Sequence, residues 1–127
     1  MLKALKVTMI VYGVIGILFG LAYIFVPRQL GAMFGHEVAF VTELAAVFGV
    51  SLVAIGIFLI IAARDPIKHI LWVKYAIVFA ILSLAAELYS FILGYITLGS
   101  ALTPIILHAV FAVALLAFYP WRAAKGG

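Results

Sequence analysis

Charged side chains are scarce in this sequence. Asp, Glu, Lys and Arg together make up 9% of its 127 residues, whereas 69% of the residues are hydrophobic. A soluble domain of this length needs many more charged residues to cover its surface, so this composition excludes an ordinary soluble domain. The apolar residues also lie in long runs, without the alternation that a half-buried strand shows. The composition therefore predicts an integral membrane protein.

Cysteine is absent altogether. Without a thiol, the chain forms no disulfide, no thiolate zinc or iron–sulfur site and no covalently attached haem. The sequence also lacks a glycine-rich phosphate loop, a nucleophile elbow and an HExxH motif. No local spacing such as Glu-x-x-His joins a carboxylate to a histidine. The sequence thus predicts no metal site and leaves any cofactor unknown.

Four apolar runs are present, at about 7–26, 39–63, 70–93 and 102–119. Each is close to the ~20 residues that a helix needs to cross the ~30 Å hydrocarbon layer. Backbone groups in lipid must be paired within the segment, so we expect helices. The connections are short, and Gly99, Ser100 and Pro104 mark the third one. Residues 1–127 are thus predicted to form one all-α domain, an integral membrane up-and-down four-helix bundle.

Basic residues are distributed unevenly around these runs. On one side of the predicted bundle lies only Arg28, and the other side carries Lys3, Lys6, Arg64, Lys68, Lys74, Arg122 and Lys125. Because basic loops remain in the cytoplasm, both termini are predicted to be cytoplasmic. The same residues follow the membrane boundary without forming a stripe, so no nucleic-acid partner is predicted.

Small residues recur at helical spacing within the runs. In the third run, small residues lie on one stripe together with Glu87 and Ser90. The small residues are Ala76, Ala80, Ser83 and Gly94. The first run contains Gly16 and Gly20 as a GxxxG pair, and the second contains Thr42, Gly49 and Gly56 on one face. Small residues allow helix backbones to approach closely in lipid. We interpret these stripes as packing within the chain, with oligomerisation as the alternative.

Three ionisable side chains, Glu43, Glu87 and His108, lie inside the apolar runs. A charge within a membrane is costly and often marks a functional site. At ~1.5 Å per residue, the three lie roughly 6, 9 and 9 Å from the same predicted membrane boundary. We therefore expect one polar layer in the outer third of the bundle, with Thr42, Tyr89 and Ser90 as neighbours.

This polar layer has two interpretations. In the structural one, Glu87 and His108 bond to each other or to these neighbours and set the helix register, while Glu43 reaches the interface or pairs with Arg28. In the functional one, the layer is a ligand or headgroup pocket, a proton or metal site, a catalytic acid–base pair, or a single axial histidine for a chlorophyll-type pigment.

The first two runs carry a family resemblance. Pro27 and Arg28 precede a pattern of glycines and leucines, and this pattern leads into Ala62-Ala63-Arg64-Asp65. The pattern consists of Glu43, Leu44, Gly49, Leu52, Gly56 and Leu59. This pattern resembles the small four-helix bacterial membrane proteins grouped as DoxX-like. Some of those proteins are similar to accessory subunits of quinone-linked oxidoreductases. The resemblance implies the cytoplasmic (inner) membrane of a prokaryote and transfers no catalytic residue.

The function expected from these features is that of a non-catalytic accessory subunit of a membrane complex. Its expected partners are membrane lipids and either other membrane subunits or a second copy of the chain. The alternative is a stand-alone protein that binds a lipophilic ligand, a quinone or a lipid, in an outward-opening polar pocket. Whether such a protein is an enzyme is left open by the sequence.

Overall fold

The structure is a computed structural model that describes residues 2–26, 29, 41–94 and 96–121, with the side chains of residues 41–43 left outside this part. Within these ranges the chain forms no strand and four long helices: α1 (Leu2–Phe25), α2 (Val41–Ala62), α3 (Ile70–Ile92) and α4 (Leu98–Ala117). All four are long and apolar enough to cross a membrane, α2 from Leu44 onward. The predicted all-α class is therefore confirmed, with four helices long and apolar enough to span a membrane.

Two helices begin earlier than their apolar runs. α1 begins at Leu2 and not at about 7, because lysine favours helix and the charges of Lys3 and Lys6 end the apolar run without ending the helix. α4 begins at Leu98 and not at about 102. Its start is set by Thr97, whose hydroxyl accepts a hydrogen bond of 3.2 Å from the backbone N–H of Ser100.

Pro104 lies inside α4 and not in the connection before it. Proline has no N–H, so the carbonyl of Ser100 lacks the helical hydrogen bond that another residue at this position would donate. A helix in a membrane tolerates such a residue when other groups can satisfy the freed carbonyl. Gly99 and Ser100 also lie inside α4, so the prediction that these two residues and Pro104 mark the connection is wrong.

Large apolar side chains cover the outside of the bundle. Leu18 is 61% exposed, Val47 61%, Leu71 74% and Val113 67%, so that each helix contributes to this surface. Exposure of such a surface to water would be strongly unfavourable, and contact with lipid removes that cost. The described surface is thus that of a membrane protein.

Glycines allow α1 and α2 to approach at backbone contact. A Cβ atom added to Gly56 would lie 2.5 Å from the carbonyl oxygen of Gly13, and one added to Gly20 would lie 2.6 Å from the carbonyl oxygen of Gly49. The pairs are reciprocal, because a Cβ at Gly13 or Gly49 would meet the partner's carbonyl in turn. Gly16 differs, since its Cβ would make an ordinary contact of 3.6 Å. These glycines form a contact within the chain.

The two hairpins, α1–α2 and α3–α4, meet mainly at one end of the bundle, which we call the closed half. It contains the N-terminal parts of α1 and α3 and the C-terminal parts of α2 and α4. Ala76 and Ala80 of the small stripe are 1% and 0% exposed there. The buried core of this half consists of Leu5, Met9, Tyr12, Leu59, Ala62, Ala63, Val73, Ala76, Ile77, Ala80, Phe111, Ala112, Leu115 and Tyr119.

The connection between α2 and α3 closes this end. Pro66 is buried in it, and the Asp65 carboxylate accepts a hydrogen bond of 3.2 Å from the backbone N–H of Lys68. Lys3 and Lys6 begin α1 at the same end. Arg28, Arg122 and Lys125, which the orientation argument also used, lie outside the described residues.

At the other end, which we call the open half, the hairpins are less closely packed. α3 ends there at Ile92, and Gly94 follows in the left-handed region with φ of 78°, where glycine is favoured. A Cβ atom at Gly94 would meet no atom of the described residues within 4 Å. The prediction that Gly94 belongs to the packing stripe is therefore wrong, because Gly94 lies beyond the end of α3.

Candidate functional site

A cavity of about 380 Å³ lies between the two hairpins in the open half. Its walls differ in character. One wall comes from α1 and α2 and is largely aromatic or aliphatic, with Tyr12, Ile15, Gly16, Phe19, Tyr23, Phe48 and Leu52. The other comes from α3, α4 and their connection and carries the ionisable and small hydroxyl groups, with Phe79, Ser83, Ala86, Glu87, Ser90, Ile96, Ser100, Thr103, Pro104, Leu107 and His108. A ligand here would meet an apolar face and a polar face.

Three side chains from three helices meet at the inner end of this cavity. The Tyr12 hydroxyl lies 3.0 Å from His108 Nδ1, and His108 Nε2 lies 3.3 Å from Glu87 Oε1. Tyr12 is buried, and the side chains of His108 and Glu87 are 15% and 21% exposed. We call these residues the polar triad. Because Tyr12 also belongs to the core of the closed half, the polar triad forms the floor of the cavity.

Helix geometry explains why Glu87 and His108 meet. Side chains on a helix tilt towards its N-terminus. The N-terminus of α3 lies at the closed end and that of α4 at the open end, so the two side chains lean towards each other. His108 lies roughly 15 Å along α4 from Leu98. The helix starts earlier than its apolar run, and the predicted depth of roughly 9 Å from the membrane boundary stays a prediction.

Aromatic rings surround the imidazole and the phenol. Tyr12 stacks on Phe111, with ring centroids 4.3 Å apart and an angle of 17° between the planes. The ring of Phe79 meets that of His108 edge to face at 6.1 Å and 71°. Such pairs restrict the orientation of each ring. The positions of the Tyr12 hydroxyl and both imidazole nitrogens are thus supported by packing as well as by hydrogen bonding.

One atom of the polar triad is left without a partner. Glu87 Oε2 is buried and accepts no hydrogen bond from any residue that the structure describes. A buried polar atom without a partner costs about 1–3 kcal/mol. The polar triad is therefore hydrogen-bonded from Tyr12 through His108 to Glu87 Oε1, whereas Glu87 Oε2 has no partner among the described residues.

The predicted polar layer is only partly assembled by the described residues. Ser90 lines the cavity with Glu87. Tyr89 does not line it and is 62% exposed, because two residues beyond Glu87 lie about 200° around the helix axis. Thr42 and Glu43 belong to the first turn of α2, and their side chains lie outside the described part. In that part, no group of three His, Asp or Glu residues could hold a metal ion.

Sequence reasoning missed Tyr12, Ser100 and Thr103 as cavity residues. Ser100 and His108 are spaced by multiples of four on α4, and this periodicity would have placed them on one helix face. Tyr12 also lies four residues before Gly16 on α1. Its bond to His108 joins the first and last helices, and no local spacing indicates such a pairing.

The comparisons with known proteins identify a family. No curated protein and no solved structure matches the chain. A family model described as BphX-like matches residues 2–126. The DoxX-like resemblance of the first two helices is not confirmed by this match and stays a prediction. Since the match extends over nearly the whole sequence, the chain belongs to the BphX-like family.

Proposed function

We propose that the protein binds a small, largely apolar molecule with one polar group in the cavity between its two hairpins. The observation that carries this proposal is the polar triad at the floor of a cavity with one apolar wall. The volume of about 380 Å³ falls within the range of ~300–1,000 Å³ that is usual for ligand pockets. A few polar groups in an apolar site orient a ligand, which matches this arrangement.

The purely structural interpretation explains less of the geometry. A cluster of polar side chains that only sets helix register is stable when each side chain is hydrogen-bonded and no cavity lies beside the cluster. Here Glu87 lines a cavity and its Oε2 atom has no partner among the described residues. Ligand binding accounts for both features.

The membrane orientation is part of the same proposal. We place the protein in the cytoplasmic membrane of a prokaryote, with both termini in the cytoplasm. Support comes from the four spans and from Lys3, Lys6, Arg64, Lys68 and Lys74, which belong to the closed end of the bundle. The cavity then lies in the outer half of the membrane.

Because the chain has no cysteine, single introduced cysteines can test this orientation. Lys68→Cys and Leu98→Cys, at opposite ends of the bundle, are compared in intact cells with a membrane-impermeant maleimide. We expect labelling of Leu98→Cys in intact cells and of Lys68→Cys only after lysis. The reverse pattern would overturn the orientation without affecting the cavity.

An accessory-subunit role, as in quinone-linked complexes, concerns the outer surface of the bundle. Exposed apolar side chains on all four helices suit lipid and a partner subunit equally. That role, its partners and the expected quinone or lipid ligand therefore stay predictions.

The binding proposal is tested by filling the cavity. Ser83→Leu enlarges a side chain on the cavity wall, and Ser51→Leu makes the same change at an exposed position of α2. The wild-type protein and both variants are purified in detergent, and their retained lipophilic molecules are extracted and quantified by mass spectrometry. We expect equal retention by the wild type and Ser51→Leu and about tenfold less by Ser83→Leu. Equal retention by all three would contradict the proposal.

A further inference from the structure

We infer that the ligand of the cavity carries a hydroxyl group on an apolar ring, and that this hydroxyl donates a hydrogen bond to Glu87. The inference rests on the proposed binding function and adds the chemical class of the ligand. It starts from Glu87 Oε2, the buried atom that lacks a partner among the described residues on the wall of the cavity.

The proton positions in the polar triad decide what this oxygen needs. If Tyr12 donates to His108 Nδ1, then Nε2–H donates to Glu87 Oε1, and Glu87 is a carboxylate. If Nδ1–H donates to the Tyr12 oxygen instead, then Nε2 accepts a proton that Glu87 carries on Oε1. If the imidazole is protonated, it donates to both partners. A fourth arrangement keeps the hydrogen bonds of the first and places a proton on Glu87 Oε2. All four arrangements fit the 3.0 Å and 3.3 Å distances equally well.

Oε2 is a hydrogen-bond acceptor in the first three arrangements and a donor in the fourth. It is a carboxylate oxygen in the first and third, and the carbonyl oxygen of a neutral acid in the second. A proton shared with the imidazole resides on Oε1, so only a proton that Glu87 does not share with His108 could lie on Oε2. When Oε2 carries no proton, the group that completes the site must be a donor, an O–H or an N–H, and this unprotonated Oε2 is part of the inference.

The geometry of the carboxyl group allows such a donor to approach from the cavity. Glu87 lines the cavity, and the terminal torsion of a glutamate has a broad energy profile, so the carboxyl group can adjust to a donor that enters there. Ligands with only a carbonyl or an ether oxygen would instead oppose one acceptor to another. The site should thus reject a quinone in favour of the corresponding hydroxylated ring.

The opposite wall indicates the rest of the ligand. Phe19, Phe48 and Leu52 line it without a polar side-chain atom, and Phe48 meets Tyr23 edge to face at 5.2 Å. Flat rings pack well against such aromatic groups. A ring lying on this wall with its hydroxyl directed to Glu87 uses both faces of the cavity.

A matched ligand pair tests the inference. 2-Naphthol carries the hydroxyl, and 2-methoxynaphthalene replaces it with an ether that cannot donate. The two are titrated into the purified protein in the same detergent, with the wild type, Glu87→Gln, Tyr12→Phe and Ser83→Leu measured side by side. Partition into micelles is the same for every variant, so it cancels when variants are compared for one ligand.

The binding measured for Ser83→Leu is the background for each ligand. Above this background, we expect the wild type to bind 2-naphthol about tenfold more tightly than the methyl ether. Glu87→Gln should abolish the preference, because an amide can present a donor where the carboxyl presents an acceptor. Tyr12→Phe should keep it, because Glu87 Oε2 remains an acceptor. An infrared difference spectrum of the wild type checks the contact independently of any variant: 2-naphthol should shift the Glu87 carboxyl band and the methyl ether should not.

The possible failures are distinguishable. If the wild type binds both ligands equally and Ser83→Leu binds neither, the hydroxyl inference is overturned and the proposed binding function stays intact. Binding of neither ligand above the Ser83→Leu background, with no lipophilic molecule retained on purification, would overturn both. A preference that survives in Glu87→Gln would show that Glu87 is not the acceptor and would also overturn the inference.

Discussion

The closed and open halves of the bundle are built from the same four helices and differ in packing. In the closed half, Leu5, Met9, Val73 and Leu115 are each 0% exposed. In the open half, the corresponding inward positions surround a cavity of about 380 Å³. α3 illustrates the change within one stripe, because buried alanines in the closed half are followed by Ser83, Glu87 and Ser90 in the open half.

The two halves differ in how closely one hairpin packs against the other and not in the packing within each hairpin. Reciprocal glycine contacts hold α1 against α2 at Gly13 and Gly56 and again at Gly20 and Gly49. The first hairpin is therefore tight along much of its length, whereas the space opens towards α3 and α4. The polar groups lie beside a cavity or a ligand and not within a dense core. They therefore interrupt fewer packing contacts than they would in the closed half.

Leucine truncation should give the largest contrast between the halves. Leu59 and Leu52 lie about two turns apart on the same face of α2, in the closed core and on the cavity wall respectively. Leu59→Ala should lower the free energy of unfolding by about 2–5 kcal/mol, because it empties packed space. Leu52→Ala should lower it by less than about 1 kcal/mol, because its side chain already borders a void. Unfolding in mixed micelles measures both, and equal losses would contradict the division into halves.

Glycine substitution should have the next largest effect. Gly56→Ala places a methyl group 2.5 Å from the carbonyl oxygen of Gly13, so the helices must separate, at a cost of about 1–3 kcal/mol. Gly99→Ala is the matched control, since a Cβ atom there meets no atom of the described part of the chain within 4 Å. Thermal unfolding should show a lower midpoint for Gly56→Ala alone. Similar midpoints for the two variants would mean that α1 and α2 are not at backbone contact.

Removal of the Tyr12 hydroxyl should have a moderate effect at the boundary between the halves. Tyr12→Phe keeps the stacking on Phe111 and loses the bond to His108, so we expect a loss of about 0.5–1.5 kcal/mol. Tyr75→Phe, on an exposed tyrosine, provides the control. Combination with Glu87→Gln should be non-additive by at least about 0.5 kcal/mol, because the residues share His108. Strict additivity would argue against a connected polar triad.

The smallest effect is expected at Gly16. Its Cβ atom would lie 3.6 Å from the carbonyl oxygen of Leu52, an ordinary contact. Gly16→Ala should therefore leave stability unchanged or raise it by up to about 1 kcal/mol, the helix propensity of alanine over glycine. Gly20→Ala, whose Cβ would lie 2.6 Å from a carbonyl oxygen, should destabilise the protein in the same assay. A loss at Gly16 comparable to that at Gly20 would refute the difference between the two glycines.

The predictable part of the candidate site was the part encoded within one helix. The small residues around Glu87 share a stripe on α3, which indicated an inward position, and Glu87 does line the cavity. His108 was recognised as a polar residue in an apolar run, yet its distance from the start of α4 was underestimated because Thr97 starts α4 before the run begins. Tyr12 was not assigned to the site, because tyrosine is common in membrane helices and its partner lies on α4.

The sequence by itself determined the four helices, their suitability for a membrane and the positions of the costly polar residues. These properties depend on hydropathy and length within single segments, because a helix in lipid must satisfy its own backbone. Only the tertiary structure decided that α1 packs on α2 through Gly13 and Gly56, that the hairpins diverge, and that Tyr12 joins His108 and Glu87. Contacts between helices in lipid depend on shape and on single hydrogen bonds, neither of which hydropathy records.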